Sequence, residues 1–156
     1  MSLQIGQTAP GFSLPDSDLK ETNLADCKGK NVVLLFFPAA FTGVCTKELC
    51  QTRDELSYYN GLNATVFGIS VDLPFSLAKF KELNNYNFTL LSDFNKDASR
   101  AYGAFYENWI KGLKGVSKRA SFVIDKEGIV RHAEVLEDAG SYPNFEAIKD
   151  VLSKLK

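Results

Sequence analysis

A mixed α/β sheet with helices on both faces is the fold class the sequence predicts, and three observations carry it. Residues 32–37 form an unbroken apolar run, rich in β-branched and aromatic side chains and closed by Pro38, which is the pattern of a strand buried on both faces. Strand-like and helix-like stretches then alternate as far as residue 102, the arrangement that builds parallel strands with crossover helices. The last two strand-like runs are separated only by a turn at 125–128, so they form a hairpin and make the sheet mixed.

The elements follow in order. Residues 1–30 hold short apolar patches broken by Gly6, Pro10, Gly11, Pro15 and Gly29, and predict an N-terminal β-hairpin extension with loops on the domain edge. Cys27 falls in a polar turn just before the central strand. Beyond that strand and the turn at Phe41, Thr42 and Gly43, a helix is predicted to about Tyr59, stopped by Asn60 and Gly61. Residues 65–71 read as a second buried strand. Residues 72–84 read as a helix opened by Pro74, with Phe75, Leu77, Ala78, Phe80 and Leu83 as its apolar positions. A short strand at 88–92 and a short helix at 97–102, ended by Gly103, come next. Residues 103–118, with three glycines around Trp109, Ile110 and Leu113, read as a loop anchored by apolar side chains. The hairpin strands cover 120–124 and 129–135, and a final helix runs from about Pro143 to the basic end at Lys156.

Composition excludes several classes of function. At 156 residues and 45% hydrophobic content, the chain suits one globular domain spanning 1–156. A net charge of −1 gives no whole-chain attraction to nucleic acid or an acidic membrane. The longest apolar run is far too short to span a bilayer, and the N-terminus lacks the basic start and apolar core of a signal peptide, so the expected compartment is the cytoplasm. Three cysteines are an odd number and too few for a disulfide framework, which fits reduced or cycling thiols better.

The chemistry centres on Cys45. It falls in or near the first turn of the helix after the central strand, among unpaired backbone N–H groups at the positive end of the helix dipole, a position that favours the thiolate. That is also the carboxyl end of the sheet, where open α/β folds place their ligands. The competing reading is a small buried apolar residue, and it applies to Cys50 and Cys27 as well. Cys45 and Cys50 lie on one helix, turned about 140° apart and separated by about 7.5 Å along its axis. A disulfide wants Cα atoms within roughly 7 Å, so the two cannot bond while the helix is intact.

Other chemistries find less support. The single histidine, His132, lies on the last strand, where a surface or hydrogen-bonded role competes with that of a base. No Cys-x-x-Cys pair offers a structural zinc site, and no glycine-rich phosphate loop supports a nucleotide, so no cofactor is expected. Lys111, Lys114, Lys118 and Arg119 make the segment before strand 120–124 basic, either a solvated face or a source of a cation for a thiolate at the same sheet end.

Pro38-Ala-Ala-Phe-Thr42-Gly-Val-Cys45 matches Pro-x-x-x-Thr-x-x-Cys, the signature of the peroxiredoxins, and the chain resembles that family along nearly its whole length. The resemblance implies a thioredoxin-like fold and reduction of hydrogen peroxide, organic hydroperoxides or peroxynitrite without metal or organic cofactor. It makes Cys45 the peroxidatic nucleophile, Thr42 the hydroxyl that orients peroxide, Pro38 a shield of the pocket and Arg119 the active-site arginine. These roles agree with the chemistry, because donors aimed at the departing oxygen lower the barrier and a guanidinium favours the thiolate.

The segment from Cys45 to Cys50 is similar to the Q-type, bacterioferritin comigratory peroxiredoxins, in which the fifth residue after the nucleophile resolves the sulfenic acid as an intrasubunit disulfide. The flanking residues, with Glu48, Arg53 and Asp54, are also similar to the one-cysteine alkyl hydroperoxide reductase E group, where Glu48 would help hold the Thr42 and Arg119 network. Resolution by Cys50 and recycling by thioredoxin or a similar dithiol reductant is the reading favoured. A one-cysteine enzyme using an external thiol is the runner-up, and a redox sensor or holdase is the alternative from another class. Family members often form dimers through the active-site face, for which Phe41 and the loop around Trp109 offer apolar contacts, whereas Q-type members can be monomers.

Overall fold

The computed structural model describes residues 3–155. The chain begins with a hairpin of β1 (Ser13–Pro15) and β2 (Glu21–Asn23), and a 3-10 turn over Leu24–Cys27 leads into β3 (Asn31–Phe36). There follow α1 (Gly43–Asp54), α2 (Leu56–Gly61), β4 (Ala64–Ser70), α3 (Pro74–Asn84), β5 (Thr89–Ser92) and α4 (Asp97–Ala101). Next come β6 (Phe105–Tyr106), β7 (Val116–Ser117), β8 (Arg119–Ile124), β9 (Val130–Leu136) and α5 (Phe145–Lys154). The central sheet has the order β5-β4-β3-β8-β9. Strands β3, β4 and β5 are parallel, and β8 and β9 turn the other edge antiparallel.

The alternation of side chains along β3 divides the core into two layers. Val33, Leu35 and Phe37 meet Cys45, Leu49, Tyr59, Leu77, Phe80, Ile148 and Leu152 from α1, α2, α3 and α5. Val32, Leu34 and Phe36 face the opposite way, onto Leu14, Leu24, Ala98 and Tyr102 from the N-terminal segment and α4. Burial of each such aliphatic or aromatic side chain is worth about 1.5–3 kcal/mol, so the doubly covered β3 contributes to both layers of the core. Helices therefore cover both faces, unequally: α4 shares its side with the hairpin. Among the described residues no helix is long and apolar enough to cross a membrane.

Several elements differ from the sequence expectation. The helix expected to run to Tyr59 is broken at Glu55 (φ −105°, ψ 9°), where Lys149 of α5 binds the carboxylate at 2.7 Å. Residues 103–118 are more ordered than a loop, because β6 and β7 pair across them and Tyr106 stacks on Trp109. On α3 only one edge of the apolar set is buried. Leu77 and Phe80 face the sheet, whereas Phe75 and Leu83 are 67% and 60% exposed. Helix α5 starts two residues after Pro143, with the Asn144 side chain accepting from the Ala147 N–H as its N-cap. Lys156, at the end of the expected helix, lies outside the described residues. Cys27 ends a 3-10 turn just before the central strand, where the sequence places a turn.

Candidate active site

Pro38, which cannot donate to the sheet, ends the central strand, and the chain must then turn back to start α1. Phe37 makes the last ladder bond, to the Ile69 carbonyl at 2.9 Å. The turn is pinned by Asp72, two residues beyond β4, whose carboxylate accepts from the Ala40 N–H at 2.8 Å and from the Ser70 hydroxyl at 2.6 Å. Phe41 takes the left-handed conformation (φ 69°), costly for a bulky residue, and its ring meets Phe80 at 5.0 Å. Thr42 is the N-cap and Gly43 the first helical residue, so Cys45 is third in α1 and its N–H has no intrahelical acceptor.

Cys45 is buried, and Arg119 reaches it from the start of β8. The Arg119 Nη2 donates to Cys45 Sγ at 3.1 Å, and Nη1 donates to Glu48 Oε1 at 2.5 Å. Nε and Nη2 both donate to the Ala139 carbonyl, at 3.0 and 2.8 Å. One guanidinium thus spans the thiol, a carboxylate one helical turn further on, and the loop after β9. Burial works against the Arg119 charge, but Glu48 and Cys45 outweigh it and hold its pKa above the ordinary value. Glu48 is also fully buried, and its Oε2 has no hydrogen-bond partner among the described residues. Burial accordingly pushes its pKa up to about 7, against the downward pull of Arg119.

The remaining residues singled out in the sequence are placed as follows. Pro38 is buried beneath the turn. The Thr42 hydroxyl donates to the Ala39 carbonyl at 2.8 Å and makes no bond to Glu48 or Arg119, so the network expected to include Thr42 is built from Glu48 and Arg119 only. The Thr42 oxygen remains able to accept a hydrogen bond. Cys50 is half-buried further along α1, with its Sγ 3.7 Å from the Tyr86 hydroxyl and 3.9 Å from Asn84 Oδ1. All three cysteines are free thiols.

The basic segment separates into different roles. Arg119 is interior, Lys118 pairs with Glu137 at 2.7 Å, and Lys111 and Lys114 are exposed. Cys27 lies at the other end of the sheet, beside a cavity of about 220 Å³ that Val32 and Ile124 also line, and burial pushes its thiol pKa up. His132 is half-buried on β9, 3.3 Å from the Ser121 hydroxyl, with its pKa lowered by burial. Asp72, Ala139, Asn84 and Tyr86 escape sequence reasoning. A backbone carbonyl has no sequence signal, and Tyr86 meets α1 only through the tertiary fold. Asp72 alone could have been suspected, because it lies two residues beyond β4, at the same end of the sheet as Cys45.

Comparison with known proteins agrees with this geometry. The AhpC/TSA family model matches residues 5–133. Alkyl hydroperoxide reductase E of Mycobacterium tuberculosis is 40% identical over 136 residues, covering 85% of this chain and 86% of the relative. Peroxiredoxin Bcp of Escherichia coli is 39% identical over 132 residues, covering 83% and 84%. Among solved structures, a peroxiredoxin-like protein from Aquifex aeolicus superposes with a TM-score of 0.89 at 29% identity, covering 100% of this chain and 90% of that one. A thioredoxin-like sheet carrying a buried cysteine at a helix start, a guanidinium on its sulfur and relatives of this kind lead to one assignment: the chain belongs to the AhpC/TSA family of peroxiredoxins and is a thiol-dependent peroxidase.

Proposed function

We propose that Cys45 is the peroxidatic cysteine, that Cys50 resolves it within the same chain, and that a thioredoxin-like dithiol protein restores both thiols. The observation that carries the first step is the 3.1 Å contact from Arg119 Nη2 to Cys45 Sγ at the start of α1. A thiolate there attacks one peroxide oxygen. The S–O bond forms, the O–O bond breaks, and the departing oxygen takes a proton to leave as water or an alcohol. Charge developing on that oxygen is met by the Arg119 fork and the free N–H of Cys45. The Thr42 oxygen can accept a hydrogen bond from the bound peroxide and so orient it, and Pro38 walls the turn from solvent. Glu48 fixes the guanidinium from the side opposite Ala139.

In the second step a Cys50 thiolate attacks Cys45 Sγ. The S–S bond forms, the S–O bond breaks, and hydroxide leaves and is protonated to water. The dithiol reductant then supplies two electrons and two protons. Its proximity on one helix gives Cys50 a high effective concentration over any external thiol. The chain acts as one domain in the cytoplasm and pairs with a second copy through the active-site face. In support of that pairing, Phe41 is 54% exposed and Ile110 59%, and a groove of about 460 Å³ runs between Trp109 and Ala139, the residue that holds Arg119.

The test is peptide mapping after one equivalent of hydrogen peroxide, with wild type, Cys45→Ser and Cys50→Ser compared. Loss of two hydrogens mapped to Cys45 and Cys50, with Cys50→Ser halting at the sulfenic acid, is the expected result. A sulfenic acid that persists in wild type would instead assign resolution to an external thiol. Equal reactivity of Cys45 and Cys27 would overturn the role given to Cys45.

A further inference from the structure

Joining Cys45 to Cys50 requires the turn between them to open, so whatever holds that turn shut governs the resolving step. Besides its own helical bonds, the turn is held by the segment that leaves α3. The Tyr86 hydroxyl donates to the Thr46 carbonyl at 3.2 Å, which is the acceptor that an α-helix assigns to the Cys50 N–H. Cys50 Sγ lies 3.7 Å from the same hydroxyl and 3.9 Å from Asn84 Oδ1. One turn on, Arg53 Nη1 donates to the Asn84 carbonyl at 2.6 Å, and Asn87 Nδ2 donates back to the Arg53 carbonyl at 3.3 Å. The clasp is rigid, because the Tyr86 ring is buried between Phe80 and Phe88, at 5.1 and 5.5 Å.

The Tyr86 hydroxyl has one proton to give. While Cys50 is a thiol, its S–H can donate to Asn84 Oδ1 or to the Tyr86 oxygen, and the tyrosine proton goes to Thr46. A Cys50 thiolate can only accept, so it draws the tyrosine proton to itself and leaves the Thr46 carbonyl with its helical bond alone. The Asn84 Oδ1, an acceptor facing a new anion, becomes an unfavourable neighbour at the same moment. Arg53 is the charged group beside Cys50, and Cys50 and Cys45 both act on Tyr86. Burial, first, and then Cys50 keep Tyr86 protonated throughout the working range.

We propose that Tyr86 is a positioning residue for the resolving step: it latches the turn at residues 46–50 of α1 while Cys50 is a thiol and releases it when Cys50 ionises. Nucleophile and helix opening then arrive together. The inference rests on the reading of Cys50 as the resolving cysteine. No oxidant is needed beyond the peroxide already consumed at Cys45.

The experiment compares wild type with Tyr86→Phe, which keeps the ring between Phe80 and Phe88. Amide exchange of residues 46–50 in the reduced protein is expected to be about fivefold faster in the variant, the effect of one lost hydrogen bond. Disulfide formation after a single equivalent of peroxide should quicken by a similar factor, and the sulfinic acid formed per turnover in excess peroxide should fall. Unchanged exchange at 46–50 overturns the latch, and so does an unchanged ratio of disulfide to sulfinic acid. If exchange quickens but wild type forms no bond between Cys45 and Cys50, the resolving role of Cys50 falls. The latch then has no step to govern.

Discussion

Glu48→Gln tests the buried pair in isolation. The substitution keeps the size of the side chain and an oxygen for Arg119 Nη1, and removes only the charge. In the folded protein burial raises the Glu48 pKa from its ordinary 4.5 to about 7, despite Arg119. Below pH 4.5 both folded and unfolded chains hold the proton. Between 4.5 and 7 only the folded chain holds it, and above 7 the folded chain carries a buried anion. Stability from this group is therefore fully present at low pH and lost as pH rises through 7, by about 3 kcal/mol at ~1.4 kcal/mol per pH unit. Urea unfolding of the reduced proteins at pH 4.5 and pH 8 measures it. The wild type should lose about 2–3 kcal/mol more than Glu48→Gln over that interval. An equal pH response in the two proteins would show that the carboxyl ionises as easily folded as unfolded, and the account of its burial would be wrong.

Two other substitutions probe the site and the sheet. Arg119→Lys keeps the charge but cannot reach Cys45, Glu48 and Ala139 at once, so the rate of Cys45 oxidation in stopped-flow assays should fall about 10²-fold. A fall of less than threefold would mean that charge alone, and not the fork, does the work. Gly68→Ala places a Cβ 2.8 Å from Leu90 Cδ2 and 3.4 Å from Phe37 Cε1, in the core between β4 and β5. Overpacking there should cost about 1–3 kcal/mol, read from the urea midpoint, and an unchanged midpoint would show that the leucine simply moves aside.

The sequence reveals the parts of the fold whose causes are local. The run before Pro38, the Pro74 helix start and the turn at Gly128 each follow from a few adjacent residues, and each stands where expected. Cys45 was legible for the same reason, since strand end, turn and helix start are consecutive, whereas Thr42 and Arg119 were singled out only by the resemblance of their segments to the family. Arg119 is 74 positions from Cys45, and only the topology joins them. Because β8 runs antiparallel to β3, its first residues lie beside the last of β3, with Ala120 opposite Phe36. The order of elements does not state that register. The exposed Phe75 and Leu83 show the opposite limit, because periodicity marks apolar positions without saying which edge of them meets the sheet. The role of Ala139 could not be read at all, as any residue brings a carbonyl.

Glu48 lies between the two thiols in the chain, so under the proposed resolution by Cys50 it ties the acid–base state of the site to the helix that would have to open. Swinging Cys45 toward Cys50 carries the turn that holds Glu48, and therefore strains its bond to Arg119. With Glu48 ionised, that motion separates a buried ion pair, and breaking such pairs costs about 3–5 kcal/mol. With Glu48 protonated, it gives up a hydrogen bond to a charged donor, about 1.5–3 kcal/mol. Oxidation has the complementary effect at the other end of the turn. A thiolate is an anion for Arg119 to hold, and a sulfenic acid is not, so conversion of Cys45 removes one of the guanidinium's charged partners. Under the proposed mechanism the first chemical step would loosen the start of α1, while Glu48 would continue to hold its middle. A carboxyl poised near neutrality makes that second hold weaker in acid and stronger in base.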